Sequence, residues 1–266
     1  SKTCIVTGAS RGIGFYTARS LALQGAHVVV IGHNHERGED AVARIHEADP
    51  DASAEFIFTD LMDQAQIREL NRTFRERHDR LDVLINNAGA YFLQRGESPD
   101  GIERTFALNH LSYFLVSNLL LDLIKASAPA RIVNVSSDAH RGRTMHFDDL
   151  EFERRLYWGL TAYGESKLAN LLFTYELDRR LVEEDVTVNA LHPGFVNTYI
   201  GKQYPLLRPM INLVHAIFAK NPEEGAETSI YLASSPEIRG VSEECFIDKA
   251  RVRASPGGQE EGDVRG

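Results

Sequence analysis

Apolar residues along the chain follow two alternating periods. Short β-branched or apolar runs stand at Cys4–Thr7, Val28–Ile31, Glu55–Thr59, Leu81–Asn86, Arg131–Val135 and Val186–Leu191. Between them lie longer stretches with helical spacing. Phe15, Ala18, Leu21 and Ala22 form one stripe, and Ile67, Leu70 and Phe74 form another. Strand-length runs alternating with helical stripes predict crossover units and a parallel sheet with helices on both faces. Right-handed crossovers make that an α/β, doubly wound, Rossmann-type sheet. A last run at Glu244–Ile247 brings the expected strands to about seven.

No linker splits this rhythm and no repeat of fixed period appears, so residues 1–254 read as one domain. The tail at 255–266 holds Pro256-Gly257-Gly258 and Gln259-Glu260-Glu261, has little to bury, and is expected to be disordered. Two stretches interrupt the compact pattern. Residues 138–160 carry mixed charges with Tyr157 and Trp158, and 199–221 carry Leu206, Leu207, Met210, Ile211, Leu213, Val214, Ile217 and Phe218. Both follow strand C-termini, where open α/β sheets bind ligands, so both are expected to wall a pocket.

Composition narrows the function classes. The 266 residues are 43% hydrophobic and 25% charged, with a formal net charge of −9. That balance excludes a fibrous or largely disordered chain and argues against nucleic acid as a partner. Cys4 and Cys245 are the only cysteines, so no disulfide scaffold exists. No apolar run is expected to approach the roughly 20 residues of a membrane span, and no secretory leader opens the chain. A cytoplasmic protein is the expectation, although a chain opening at Ser1 without Met leaves room for a trimmed upstream anchor.

The first run ends in Thr7-Gly8-Ala9-Ser10-Arg11-Gly12-Ile13-Gly14, which opens the first helical stretch. Glycines there let backbone approach a pyrophosphate, and a helix N-terminus offers free N–H groups to the anion. The spacing is Gly-x-x-x-Gly-x-Gly rather than Gly-x-Gly-x-x-Gly. An NAD site would place an acid at the end of the second strand to bond the ribose 2′-hydroxyl. This chain has Gly32, His33 and Asn34, with Arg11 and Arg37 nearby. The missing acid and the basic groups favour NADP(H), with NAD(H) the alternative; Glu36, Glu39 and Asp40 weaken the case.

Tyr163 and Lys167 stand four apart and share a helix face. A free phenol has a pKa of about 10, and lowering it three units needs about 4 kcal/mol in favour of phenolate. An adjacent ammonium in a partly dry pocket, aided by an oxidised nicotinamide, is the expected source. Among the histidines, His33 with His35 and His140 with His146 lack metalloprotease spacing, so no catalytic metal is expected.

The glycine turn, Asn86-Asn87-Ala88-Gly89, Ser136-Ser137, Tyr163 with Lys167, and Pro193-Gly194 occur in one order over about residues 1–250. Together they resemble the short-chain dehydrogenase/reductase family. Phe106-Ala107-Leu108-Asn109-His110-Leu111, Leu191-His192-Pro193-Gly194 and Tyr231-Leu232-Ala233-Ser234-Ser235-Pro236 resemble its retinol-dehydrogenase-like branch, which includes WW-domain oxidoreductases.

The resemblance implies an NAD(P)-dependent enzyme whose dinucleotide-binding and catalytic parts share residues 1–254. It implies that Tyr163 is the general acid/base and that Lys167 tunes it and binds the nicotinamide ribose. Ser137 would hold the substrate oxygen, and Asn109 a relay water. Asp60 and Leu61 would contact adenine, Asn87, Ala88 and Gly89 would lie beside its ribose, and Val196 and Thr198 would position the carboxamide. Blander readings stand beside these: Ser136 or Ser137 as a cap, Asn109 bonding a helix kink, Asp60 ending a strand. The chain departs from the family in its 26-residue gap from Ser137 to Tyr163, about twice the usual length, a lengthening the branch shares. It also has His33 where the branch usually has Arg.

The implied reaction is hydride transfer between an alcohol and a carbonyl. The apolar 199–221 stretch, with Tyr157, Trp158 and Phe195, suggests a lipophilic substrate. A cofactor-binding sensor or scaffold without catalysis is the main alternative, since fold alone does not fix function. A membrane-surface protein using 205–218 and another reaction on the same fold are further ones. Helical stretches near 103–125 and 161–183 carry broad apolar faces, with Phe106, Leu108, Leu111, Phe114 and Leu115 on the first and Leu168, Leu171, Leu172, Tyr175 and Leu181 on the second. Surface left over after covering the sheet would favour a homo-oligomer.

Overall fold

The computed structural model describes residues 1–194 and 221–252. Eight strands form one sheet: β1 (Thr3–Thr7), β2 (His27–Gly32), β3 (Ser53–Phe58), β4 (Val83–Asn86), β5 (Ala130–Val135), β6 (Val186–His192), β7 (Cys245–Ile247) and β8 (Ala250–Val252). Their spatial order is β3-β2-β1-β4-β5-β6-β7-β8. β1 to β7 pair in parallel and β8 pairs antiparallel to β7. The expected count of about seven missed β8, whose three residues show no apolar run and depend on the Cys245–Val252 register for their place. The sheet reverses direction of progression at β1, which lies between β2 and β4, and so opens a crevice above their carboxyl ends.

Among the described residues, six helices flank the sheet: α1 (Gly12–Leu23), α2 (His35–Ala48), α3 (Gln64–Arg77), α4 (Arg104–Ala126), α5 (Gly159–Arg180) and α6 (Pro222–Ser234). Local chemistry sets several starts. Asn34 caps α2 by accepting from Arg37 N–H, and Asp63 caps α3 by accepting from Ala65 and Gln66 N–H. Asn221 and Glu224 form a reciprocal capping box on α6, with Pro222 in its first turn. Alternate strand residues feed two cores. Ile5, Val29, Ile31 and Leu84 pack with Phe74, Tyr113, Leu120 and Leu177 of α3, α4 and α5. Cys4, Val6, Val28 and Val30 pack with Phe15, Leu21, Ala41 and Leu232 of α1, α2 and α6.

Helix α4 corrects one expectation. It spans 23 residues with a mean hydropathy of 1.3 in its most apolar window, long and apolar enough to cross a membrane. Half of that window is buried inside the protein, against the sheet. Its Tyr113, Val116, Leu120 and Ile124 face the core, whereas Phe114 is exposed and Leu108 and Leu115 are partly so. One turn, Ala107–Leu111, widens into a π-helix.

Buried amides join these layers. Asn86 Nδ2 donates to Ser117 Oγ and to Asn134 Oδ1, both at 2.9 Å. Asn134 Nδ2 donates to Thr174 Oγ1 at 3.0 Å, and Thr174 Oγ1 to Asn170 O at 2.8 Å. The chain thus crosses from β4 and β5 to α4 and α5. Buried donors left without partners are costly. Asn134→Ala strips partners from Asn86 and Thr174 and leaves a void. It is expected to destabilise the protein by about 2–4 kcal/mol in urea denaturation.

Candidate active site

The glycine turn sits at the reversal point of the sheet. Gly8 and Gly12 adopt left-handed conformations, with φ of +65° and +61°. A Cβ on Gly8 would lie 2.8 Å from Ala88 Cα, and one on Gly14 would lie 2.5 Å from Asn87 Nδ2. Side chains there would push the turn away from the end of β4. Thr7 fastens the same junction: its Oγ1 accepts from Asn87 N–H at 2.8 Å and Ala88 N–H at 3.1 Å. Asn87 Nδ2 donates back to Thr7 O at 2.8 Å. The sequence placed Thr7 at the head of the glycine turn without a role, because a strand-end threonine carries no local signal of this cross-strand task.

Helix α1 begins at Gly12 with Arg11 at its N-cap, no side-chain cap bond and no acid in its first turn. Ile13 and Gly14 are buried beneath it. The chemistry is that of an anion cradle. At the end of β2, Gly32 is buried, and a Cβ on it would lie 3.3 Å from Ser10 Oγ. His33, Arg37 and Arg11 are exposed around this point. Asn34 spends its carbonyl oxygen on Arg37 N–H at 2.9 Å, which fixes the start of α2. At the end of β3, Asp60 Oδ1 accepts from Met62 N–H at 2.9 Å and so closes a turn, while Leu61 is buried. The cradle fits the pyrophosphate of a dinucleotide.

Beyond β4 and β5 the second cluster assembles. Helix α5 carries Tyr163 and Lys167 on one face. Ser137 follows β5, caps a single 3-10 turn at Asp138–His140, and sets its hydroxyl beside the Tyr163 phenol. Its neighbour Ser136 points the other way and donates to Lys167 O at 2.8 Å. Lys167 Nζ donates to Val135 O at 3.0 Å and lies 5.7 Å from the Tyr163 ring centre. Asn109, in the π-turn of α4, is fully buried. Its Oδ1 accepts from Ala90 N–H at 2.9 Å, and its Nδ2 donates to Ala90 O at 3.0 Å and Ser166 Oγ at 3.1 Å. Asn170 Nδ2 donates to Asn109 O at 2.9 Å. A Cβ on Gly89 would sit 3.3 Å from both Asn109 Oδ1 and Lys167 Nζ. The structure therefore gathers Asn109, Ser137, Tyr163, Lys167 and Gly89 around one point.

In the chain alone, burial raises the Tyr163 phenol, and the neighbouring Ser137 hydroxyl only partly offsets it. Burial also pushes the Lys167 amine down to about 7. Desolvation disfavours both charged forms. The chain alone does not supply the drop in phenol pKa that the Tyr–Lys spacing suggested.

Residues 138–160, expected to wall a pocket, are tied to the helices that carry the cluster. Tyr157 OH bonds Thr105 Oγ1 at 2.9 Å and Phe92 O at 3.1 Å, which ties this segment to α4 and the β4 loop. Trp158 is exposed at the start of α5. Arg155 Nη1 and Nη2 donate to Glu165 at 2.9 and 3.0 Å, anchoring the segment to the helix of Tyr163 and Lys167. Tyr91 stacks edge-on to Tyr163 with ring centres 6.0 Å apart. Arg155, Glu165 and Tyr91 escaped the sequence reading, since only the fold brings them to the site. Val196, Thr198 and the apolar 199–220 stretch lie outside the described residues.

With this geometry in place, comparison with known proteins is specific. Residues 2–206 match the short chain dehydrogenase family. Retinol dehydrogenase 14 of Mus musculus is 42% identical over 277 residues, covering 99% of this chain and 83% of that protein. The WW domain-containing oxidoreductase of Homo sapiens is 37% identical over 272 residues, covering 99% of this chain and 66% of that protein. A short chain dehydrogenase from Burkholderia cenocepacia, solved in complex with NADP, superimposes with a TM-score of 0.73 at 26% identity, covering 92% of this chain and 95% of that one. The chain belongs to the short-chain dehydrogenase/reductase family, within the branch of retinol dehydrogenases and WW domain-containing oxidoreductases. It is an oxidoreductase of the alcohol/carbonyl type that uses a nicotinamide dinucleotide.

Lysine has an unfolded value of 10.5, against about 7 here. The folded chain loses stability as pH falls from 10.5 to 7, and below 7 the penalty is constant. Lys167→Met removes that penalty. It is expected to raise Tm at pH 6.5 by at least about 2 °C, the shift that about 1 kcal/mol gives a chain of this size. The gain should shrink as pH rises toward 10, and a Tm gain independent of pH would refute the assignment.

Proposed function

We propose that this enzyme interconverts a lipophilic alcohol and its carbonyl compound with NADP(H), using Tyr163 as general acid/base. The observation that carries the reading is the meeting of Ser137 and Tyr163 with buried Lys167, 5.7 Å from the Tyr163 ring centre, and buried Asn109. When bound, the nicotinamide supplies the hydride acceptor and donor. Ser137 and Tyr163 hold the substrate oxygen and stabilise charge as it grows there. In reduction Tyr163 gives that oxygen its proton; in oxidation it takes the proton back. Lys167, as ammonium, and water held near Asn109 restore the phenol proton.

Gly8, Gly12 and Gly14 admit the pyrophosphate to the turn, with the N–H groups at Ile13 facing it. Arg11, His33 and Arg37 favour a 2′-phosphate, with Ser10 and Asn34 alongside. Asp60 and Leu61 flank the adenine, Asn87, Ala88 and Gly89 its ribose, and Val196 and Thr198 the carboxamide. NAD(H) is the weaker partner on this reading, because β2 ends without an acid. The lipophilic substrate is supported by the apolar 199–220 stretch and by the retinol named in the relatives. All these parts fall within 1–254, which we treat as one dinucleotide-binding and catalytic domain. Exposed Phe114 on α4 supports association of two copies through that helix. Buried free thiols at Cys4 and Cys245 support a cytoplasmic setting.

Tyr163→Phe keeps the ring and removes the proton. Its kcat is expected to fall at least about 100-fold, with cofactor affinity unchanged. Near-normal turnover would remove Tyr163 from the mechanism. NADPH is expected to bind at least about 10-fold more tightly than NADH in nicotinamide fluorescence titrations, a margin that Arg11→Ala narrows. Preference for NADH would overturn the assignment of the basic rim.

A further inference from the structure

Among the described residues, one group of metal-capable side chains gathers away from the active site: His27, Glu55 and His78. His27 opens β2, Glu55 lies in β3, and His78 directly follows α3. They sit at the amino-terminal edge of the parallel strands, opposite the end that carries the glycine turn. One ligand atom from each lies within 4.8 Å of the other two. His27 Nε2 stands 3.4 Å and His78 Nε2 2.6 Å from the same carboxylate oxygen, Glu55 Oε1. The other oxygen, Oε2, accepts from Arg77 Nη1 at 2.8 Å. Two imidazoles from different elements therefore converge on one oxygen, while the second oxygen is occupied.

The supporting shell is also present. Ser53 Oγ lies 2.7 Å from His27 Nδ1, which leaves Nε2 turned toward the carboxylate. Phe74 packs against the His78 ring at 4.7 Å, and the two imidazole rings lie 4.9 Å apart, tilted by 38°. A hydroxyl on the distal nitrogen of a ligating histidine fixes its tautomer and orientation. Tetrahedral zinc with bonds of about 2.0–2.1 Å spaces its ligand atoms by about 3.3 Å. The 3.4 Å separation already meets that spacing, and the 2.6 Å one reaches it by a small rotation of His78 at the partly exposed rim.

We propose that His27, Glu55 and His78 form a structural site for a divalent transition metal, zinc by its nitrogen and oxygen ligand set, clasping β2, β3 and α3 together. Three protein ligands leave the fourth position to water. Glu55 and the imidazoles come from three elements that no disulfide joins, so the ion would cross-link the outer edge of the sheet to the helix covering it. The site takes no part in hydride transfer.

The test uses the full chain, freed of metal by a chelator and titrated with Zn2+ by calorimetry, with Co2+ absorption as a second probe. One saturable Zn2+ per chain is expected, with Tm raised by at least about 5 °C at 100 times the dissociation constant. His27→Gln and His78→Gln should each weaken zinc at least about 10-fold, and Ser53→Ala up to about 10-fold, the usual range for ligand and supporting residues. Each variant should keep the metal-free Tm of the parent. Absence of saturable binding overturns the proposal. So does equal binding by the His27→Gln/His78→Gln double variant, which would mark an adventitious ion only. Tetrahedral Co2+ absorption lost with either histidine would support the clasp, since a bare Glu55–Arg77 ion pair gives none.

Discussion

The close contact between the glycine turn and the end of β4 governs the rest of the structure. Gly8 and Gly14 leave no room for a Cβ against Ala88 and Asn87, and Thr7 fills the remaining hydrogen bonds. Because β1 is where the sheet order reverses, this contact sets the floor of the crevice. The dinucleotide cradle and the Tyr163 cluster can share one crevice only if β1 and β4 end at the same height. The glycines and Thr7 hold them there.

A second constraint runs inward. Asn86, Asn134, Thr174, Asn170 and Asn109 form a buried chain of amides and hydroxyls from β4 to the π-turn of α4. An apolar core can slide by a residue at modest cost, whereas a satisfied buried network is specific to one register. The network accordingly fixes α4 and α5 against the sheet. That in turn fixes Asn109 relative to Lys167. The widened turn is where Asn109 O accepts from Asn170 Nδ2.

The cluster is held at an electrostatic disadvantage. Lys167 and Tyr163 are both pushed toward their neutral forms by burial. Such tension is common where chemistry is done, since groups must change protonation near neutrality. The insertion after Ser137 is fastened to both helices of the cluster: its Arg155 bonds Glu165 in α5, and its Tyr157 bonds Thr105 in α4. The sequence showed only an unusually long gap at this point.

The sequence by itself determined the α/β alternation, the parallel sheet, the glycine turn and the family. Each rests on local periodicity or on motifs whose order survives without contacts. Asn109, Ser137, Tyr163 and Lys167 could be singled out by motif before any coordinates, and the fold gathers them. Tertiary structure alone decided β8, the tie made by Thr7, the Arg155–Glu165 anchor and the meeting of His27, Glu55 and His78. It also decided which serine of Ser136 and Ser137 faces Tyr163. The physical reason is common to all of these. They depend on distance and desolvation between residues far apart in the chain, and neither quantity is encoded by a residue's immediate neighbours.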